Sequence, residues 1–200
     1  MIRYSCFILL LLCMPSWAQG QRLKKFKKKE IRLIESAAPN ERLRVLTIND
    51  KKDSLLLRKP CKKVNLEKDK ETVIYFSKRL KATVTDPKNM GVGIAAPQVG
   101  LLRRLIYVQR FDKENFPLEF YINPRIIEYS DSLQLGKEGC LSIPDKSAEV
   151  FRAQFIKIEY VDMDGKKHIE EISGFTSVIF QHEIDHLDGI LYLDHLKIED

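Results

Sequence analysis

Apolar residues change their spacing along this chain, and each change predicts an element. Cys6 to Met14 form an unbroken apolar run, preceded by Arg3 and followed by Ser16 and Ala18, which stand at −3 and −1 of a cut after Ala18. A charged start, a short apolar core and small residues at a cleavage point are the plan of a secretory signal. Residues 1–18 are therefore read as a removable signal peptide and the protein as exported, to the periplasm. The run is too short for a bilayer-spanning helix, which needs about 20 residues, so no stable membrane span is expected. The alternatives are a misassigned start codon, which leaves a cytoplasmic protein, and an organellar transit peptide. Residues 19–42 lack a sustained apolar period beyond Ile31 and Ile34, and read as a basic tether with at most one short helix.

From Leu43 onward the pattern is that of one α+β domain, residues 43–200. Val73, Phe76 and Leu80 recur at helical spacing within Leu66–Thr83, predicting an amphipathic helix that Asp86-Pro87 and Gly91 bring to an end. Arg104–Gln109, Phe120–Tyr129 and Gln154–Val161 are rich in Ile, Val, Tyr and Phe and predict strands. Asp164-Gly165 joins the last of these to a further strand, His168–Ile172, through a hairpin turn. Helical spacing returns in Phe175–Leu187, where Val178, Ile179, His182 and His186 share a face. Gly189 is placed to stop that helix.

Composition adds little to the fold but corrects an inference from charge. The 200 residues are 44% hydrophobic and 31% charged, a globular usage that excludes collagen-like, wholly disordered and multi-span chains. A net charge of +6 would suggest an acidic partner. Seven of the 34 basic residues, however, precede Glu30, the first acid, so the other 27 face all 28 acids. The domain itself is near neutral, carries no nucleic-acid-binding signature, and is expected to have no nucleic-acid partner.

Candidate chemistry concentrates in the last helix, which carries QHEIDH. His182 and His186 are one turn apart, so both imidazoles can face one divalent cation. Glu183, beside the first, is close enough to take a proton from a water on that cation. Two ordinary buried histidines would show the same spacing. A catalytic site needs a third protein ligand and one open position. The HExxHxxGxxH pattern of metzincin proteases would put a third His at Tyr192, and His195 is off that register. Thermolysin-like proteases use a Glu from a later helix, but only 14 residues follow His186. The best upstream candidate is Cys140, in KEGCLSIP, whose thiolate suits a borderline or soft metal. An inert buried Cys140 and a Cys61–Cys140 disulfide are the competing readings. A third segment, GVGIAAPQVG over residues 91–100, is no dinucleotide fingerprint, because Pro97 opposes the helix such a motif requires. Gly91 and Gly93 would let another chain come close, and Gln98 would aim an amide donor into the site.

Taken in order, GVGIAAPQ, EGCLS and QHEIDH resemble the peptide deformylase family. The likeness runs from about Arg44 (RVLTIND…LLRKPCKKV) to about His195 and leaves the first 40 or so residues outside it. It implies an α+β fold of small antiparallel sheets surrounding a central helix that carries the HExxH motif. It also implies a metal-dependent hydrolase of protein biosynthesis that removes the formyl group from N-formylmethionyl peptides and releases formate. By the same resemblance, Cys140, His182 and His186 bind the metal, typically Fe²⁺, with Zn²⁺ or Ni²⁺ able to replace it. Glu183 is the implied general acid and base, activating the metal's water, and the Gln98 side-chain amide and Leu141 backbone N–H are the implied oxyanion donors.

Val92, Gly93, Val178 and Ile179 are expected to bind substrate, with plain core packing as the other reading of the apolar three. A Glu138–Arg152 ion pair is expected to support the ligand loop. Ser147 falls in a stretch where many relatives carry a basic residue, which bears on how the substrate backbone is gripped. The competing functions are a non-catalytic binder of formylated peptides or inhibitors and a metalloprotease cutting internal bonds. The oligomeric state is left open.

Overall fold

The structure is a computed structural model that describes residues 25–88 and 91–196; the signal peptide read over residues 1–18 lies outside the described residues. Helix α1 spans Lys28–Ile34, α2 Lys51–Leu57 and α3 Leu66–Val84. Seven strands follow: β1 (Gly93–Ala95), β2 (Leu105–Gln109), β3 (Leu118–Tyr129), β4 (Leu133–Cys140), β5 (Ile143–Ala153), β6 (Phe155–Val161) and β7 (Lys167–Ser173). Helix α4 (Gly174–Asp188) comes next, then a 3₁₀ turn over Tyr192–His195. The strands form an antiparallel sheet ordered β1-β2-β3-β6-β7 and a separate β4-β5 hairpin. The α+β class is the one expected.

Strand β2 shows why the layers stack as they do. Its first four residues, Leu105 to Val108, are all buried, the mark of a strand covered on both faces. Leu105 and Tyr107 point to one side, where Val73, Phe76 and Leu80 of α3 complete a cluster. Ile106 and Val108 point to the other, where Phe180, Ile184 and Leu187 of α4 do the same. The sheet is therefore sandwiched between α3 and α4. Burying each such side chain contributes about 1.5–3 kcal/mol, so the helical stripe read in α3 is what holds that helix in place. The β6–β7 turn forms at Asp164-Gly165 as expected: Asp162 Oδ1 accepts from the backbone N–H groups of Asp164 and Lys166, both at 2.9 Å, and Gly165 has φ +84°. Gly189 ends α4 in the left-handed conformation, φ +79°.

Two regions differ from the sequence reading. The β4–β5 hairpin escapes the alternation rule because its faces are inverted. Leu133, Leu135 and Phe151 face solvent, while Glu138 and Arg152 are buried. The Lys-rich stretch read as a tether contains α1, and α1 docks on the domain. Ile34 and Phe26 are buried, and Glu30 receives two hydrogen bonds from Arg103, Nε to Oε1 and Nη2 to Oε2, each 2.8 Å. Arg103 Nη2 also donates to the Lys25 carbonyl at 2.8 Å, and its guanidinium lies 4.5 Å from the Phe26 ring centroid. A buried arginine on the β1–β2 connection needs an acid, and Glu30 supplies it.

Candidate active site

Helix α4 fixes the two histidines by its own periodicity, and its buried positions mix apolar residues (Val178, Ile179, Phe180, Ile184, Leu187) with polar ones (Thr176, Ser177, Gln181, Glu183). One turn apart, the His182 and His186 rings lie edge to face with centroids 5.0 Å apart. The β4–β5 turn brings Cys140 against them, with its Sγ 3.2 Å from His186 Nε2. Ligand atoms of Cys140, His182 and His186 all fall within 4.8 Å of one another, and among the described residues this is the one such group of three. Cys61 and Cys140 are both free, so the disulfide reading fails. Cys61 instead packs in the apolar cluster under α4, where burial pushes its thiol up to about 12.

Behind the histidines stands a chain of charge. Glu138 Oε2 is 2.7 Å from His182 Nδ1, and the Arg152 guanidinium spans both Glu138 oxygens at 2.8 and 3.1 Å. This is the ion pair expected from the sequence. The sequence reading missed its continuation: Arg152 Nη1 also reaches Asp185 Oδ2 at 2.6 Å, and His195 Nε2 lies 2.7 Å from the same oxygen. Asp185 sits three residues after His182, within the motif itself, and that spacing was the available signal. With Nδ1 bonded to Glu138, His182 directs its other nitrogen toward the cluster, the arrangement by which a carboxylate fixes a ligating imidazole.

The electrostatics follow from these contacts. Burial disfavours a charged His182, but hydrogen bonds to Cys140 and Glu138 outweigh it and raise its pKa to about 10. His186 moves the other way, held well below its usual value by burial and by the neighbouring His182. Burial also opposes charge on Glu138, yet bonds from His182 and Arg152 bring it down to about 2. Thiolate and imidazole donors suit a borderline metal, so these residues fit one.

Glu183 is buried too, and burial raises its carboxyl to about 7. Its Oε2 has no hydrogen-bond partner. The carboxylate lies against Gly93, where an added Cβ would come 2.5 Å from Oε1; the close neighbour at this glycine is a side chain, where the sequence reading expected another stretch of chain. Gln98 is oriented by its own Oε1, which accepts from the Ala95 N–H at 2.8 Å. Its Nε2 then points to Cys140 Sγ at 3.5 Å and Ser142 Oγ at 3.3 Å. Gly93, Gln98, Leu141, Val178 and Ile179 line a cleft of about 400 Å³ that also reaches Cys140, His182 and Glu183. Val92 stands at its exposed rim. The structure thus brings the candidate site residues to one cleft except His186, which stands behind it against Cys140 and His182; Phe175, which sequence reasoning did not single out, joins the lining.

The profile of a family described as "Polypeptide deformylase" matches residues 43–200. A peptide deformylase from Agrobacterium fabrum is 44% identical over 109 residues, 54% of this chain and 64% of that protein, so the alignment spans just under two thirds of that relative. One from Prochlorococcus marinus is 33% identical over 186 residues, covering 92% of this chain and 88% of its own length. Among solved structures, a peptide deformylase of Acinetobacter baumannii, described as Met-Ala-Ser bound, is similar at a TM-score of 0.68. It is 32% identical and covers 77% of this chain and 98% of that one.

The match to peptide deformylases of bacteria corrects the expectation of export to the periplasm. The Prochlorococcus alignment is also too long to be contained in residues 43–200, so it takes in part of the segment before the domain. Among the described residues no helix is long and apolar enough to cross a membrane. With a match spanning the whole α+β domain and relatives at this level of identity, the chain belongs to the peptide deformylase family.

Proposed function

We propose that this chain is a hydrolase that removes the formyl group from N-formylmethionyl peptides, with residues 43–200 as its catalytic domain. The observation that supports this most is the placement of Glu183, with one unpartnered carboxylate oxygen, beside the Cys140, His182 and His186 donor set at the cleft. Those three residues would hold a divalent cation, assigned here as Fe²⁺ with Zn²⁺ or Ni²⁺ as substitutes. When bound, such a cation supplies Lewis-acid chemistry, lowering the pKa of water and polarising the formyl oxygen.

The chain's own groups account for the rest. Glu183, with its pKa near 7, takes a proton from the attacking water and returns it to the departing amine. Gln98 Nε2, already oriented by the Ala95 contact, and the Leu141 N–H hold the oxygen on which negative charge develops. Losing one such donor typically costs ~10² to 10³ in rate. Val178 and Ile179 form an apolar wall for the methionine side chain, and Val92 and Gly93 border the peptide's path. Strand β1 is the edge of its sheet, the position at which a peptide in extended form can add as a further strand. The Met-Ala-Ser bound relative supports a peptide that begins with methionine.

The test is formate release from formyl-Met-Ala-Ser by protein prepared without oxygen and loaded with Fe²⁺. Formate that disappears on chelation and returns with metal supports the proposal. Cleavage of unformylated peptides at internal bonds, or binding of the formylated peptide with no formate, would overturn it.

A further inference from the structure

The loop joining β2 to β3 holds two consecutive residues in a costly backbone conformation. Asn115 and Phe116 both sit in the left-handed region, at φ 59° and 45°, which is costly for residues with side chains and for a bulky one most of all. The loop is nonetheless pinned. Arg110, 1% exposed at its base, binds Asp112 through two bonds of 2.8 and 2.6 Å, Glu170 through 3.1 and 2.8 Å, and Tyr121 Oη at 2.8 Å. The Arg110 N–H donates to the Pro117 carbonyl at 2.8 Å, the Phe116 N–H donates to the Lys113 carbonyl at 3.2 Å, and Gln109 Nε2 donates to the Phe116 carbonyl. Asp112 also receives a hydrogen bond from Thr176, which ties the loop to the first turn of α4.

What this pinned loop presents is aromatic surface. Phe111 and Phe116 are 38% and 54% exposed, with ring centroids 5.6 Å apart. Phe111 in turn lies 5.4 Å from Phe175, which is 53% exposed and lines the cleft. Along α4 the order outward from the donor set is His182, then Ile179 and Val178, then Phe175. Seven helical positions advance about 10 Å, and an extended peptide advances about 3.3–3.6 Å per residue. A peptide with its formyl group at the donor set and its first side chain at Val178 and Ile179 therefore reaches Phe175 with its second or third residue, and the Phe111 ring lies next beyond it at 5.4 Å.

We propose that Phe111, Phe116 and Phe175 form an aromatic shelf that selects formylated peptides carrying an apolar or aromatic side chain at the second or third residue. The proposal rests on the deformylase reading above, since the cleft supplies the direction in which the peptide leaves. The loop strain and the Arg110 anchor are then the means of holding apolar rings at the water-exposed rim of the cleft.

The experiment compares kcat and KM for formyl-Met-Ala-Ser, formyl-Met-Phe-Ser and formyl-Met-Ala-Phe, using the wild type, Phe116→Ala, Phe116→Leu and the Phe111→Ala/Phe116→Ala double variant. In the wild type, at least one Phe-containing peptide should be preferred over formyl-Met-Ala-Ser by about fivefold to tenfold in kcat/KM, expressed in KM. That ratio should collapse to near one in the double variant and be partly kept in Phe116→Leu. Equal kcat/KM for all three peptides in the wild type, or an equal fall for all three in the variants, would overturn the shelf. Should no peptide be deformylated, the functional reading fails, and calorimetric binding of the same peptides still decides the shelf by the same ratio.

Discussion

Two buried arginines bind glutamate in nearly the same way and serve different ends. Arg152, 5% exposed, spans both oxygens of Glu138; Arg103, 1% exposed, spans both oxygens of Glu30. In each case burial of a charge is offset only by good geometry, so neither pair argues for much net stability. Their neighbours separate them. Glu138 passes the constraint on to His182, whereas Glu30 passes it on to α1 and through it to the N-terminal edge of the domain. One pair sets where the His182 ring points, and the other sets whether a segment stays docked. The lesson is that a buried ion pair is read by what its second partner touches.

The sharpest test of that contrast is to cut each pair on the arginine side. Arg152→Met leaves Glu138 buried and Asp185 and His195 without their shared partner. It should cost about 3–5 kcal/mol of stability and weaken metal binding by about 10- to 100-fold, read by denaturant titration and by metal competition. Retained metal affinity would show that Glu138 positions His182 alone. Next in size, Gly93→Ala forces a Cβ to within 2.5 Å of Glu183 Oε1. A displacement of that kind should lower kcat about 10²-fold, with metal content kept, as measured by formate release and metal analysis. Arg103→Met should be milder still, because the Glu30 carboxylate it leaves behind keeps more access to water than Glu138: a loss of about 2 kcal/mol, within the range for one unsatisfied group, seen as a melting temperature lower by about 4–8 °C. Its kcat at a temperature where it is folded should match the wild type, and a drop there would erase the distinction between the pairs.

The smallest effect lies in acid. Burial works to raise the Glu30 carboxyl, but the bonds from Arg103 and from the Lys27 N–H outweigh it and hold the pKa below the usual value. A carboxyl lowered on folding adds stability above its unfolded pKa of about 4.3, and that stability is lost as pH falls through the folded value. The melting-temperature gap between the wild type and Glu30→Gln should therefore be flat from pH 6 to about 5 and close progressively below about 4.3. A gap independent of pH down to 3 would mean that the Glu30 charge does not anchor α1.

Legibility in the sequence followed the same divide. The α4 site was readable because its information is local: His182, Glu183 and His186 lie within one and a half turns, and Gly189 follows to cap the helix. Val73, Phe76 and Leu80 announced α3 for the same reason. The β4–β5 hairpin was not readable as strands, because Leu133, Leu135 and Phe151 face water and the charged Glu138 and Arg152 face inward. Burial there is dictated by the site and not by hydropathy. Glu30 and Arg103 are 73 positions apart, and nothing in a lysine-rich stretch says that its first acid meets a buried arginine. Phe111 and Phe116 were equally silent, since exposed rings on a short loop break no pattern that a sequence displays.

The claim that Glu183 moves the proton while Cys140, His182 and His186 hold the cation is tested most directly by one paired measurement on Glu183→Gln. The variant and the wild type, both prepared without oxygen, are assayed side by side for bound metal and for formate released from formyl-Met-Ala-Ser. The account predicts equal metal content, near one ion per chain, with formate release lower by about 10³-fold or more, above the 10² to 10⁴ typical range's lower end for a lost proton-transfer group. Formate release within tenfold of the wild type, at equal metal content, would contradict it.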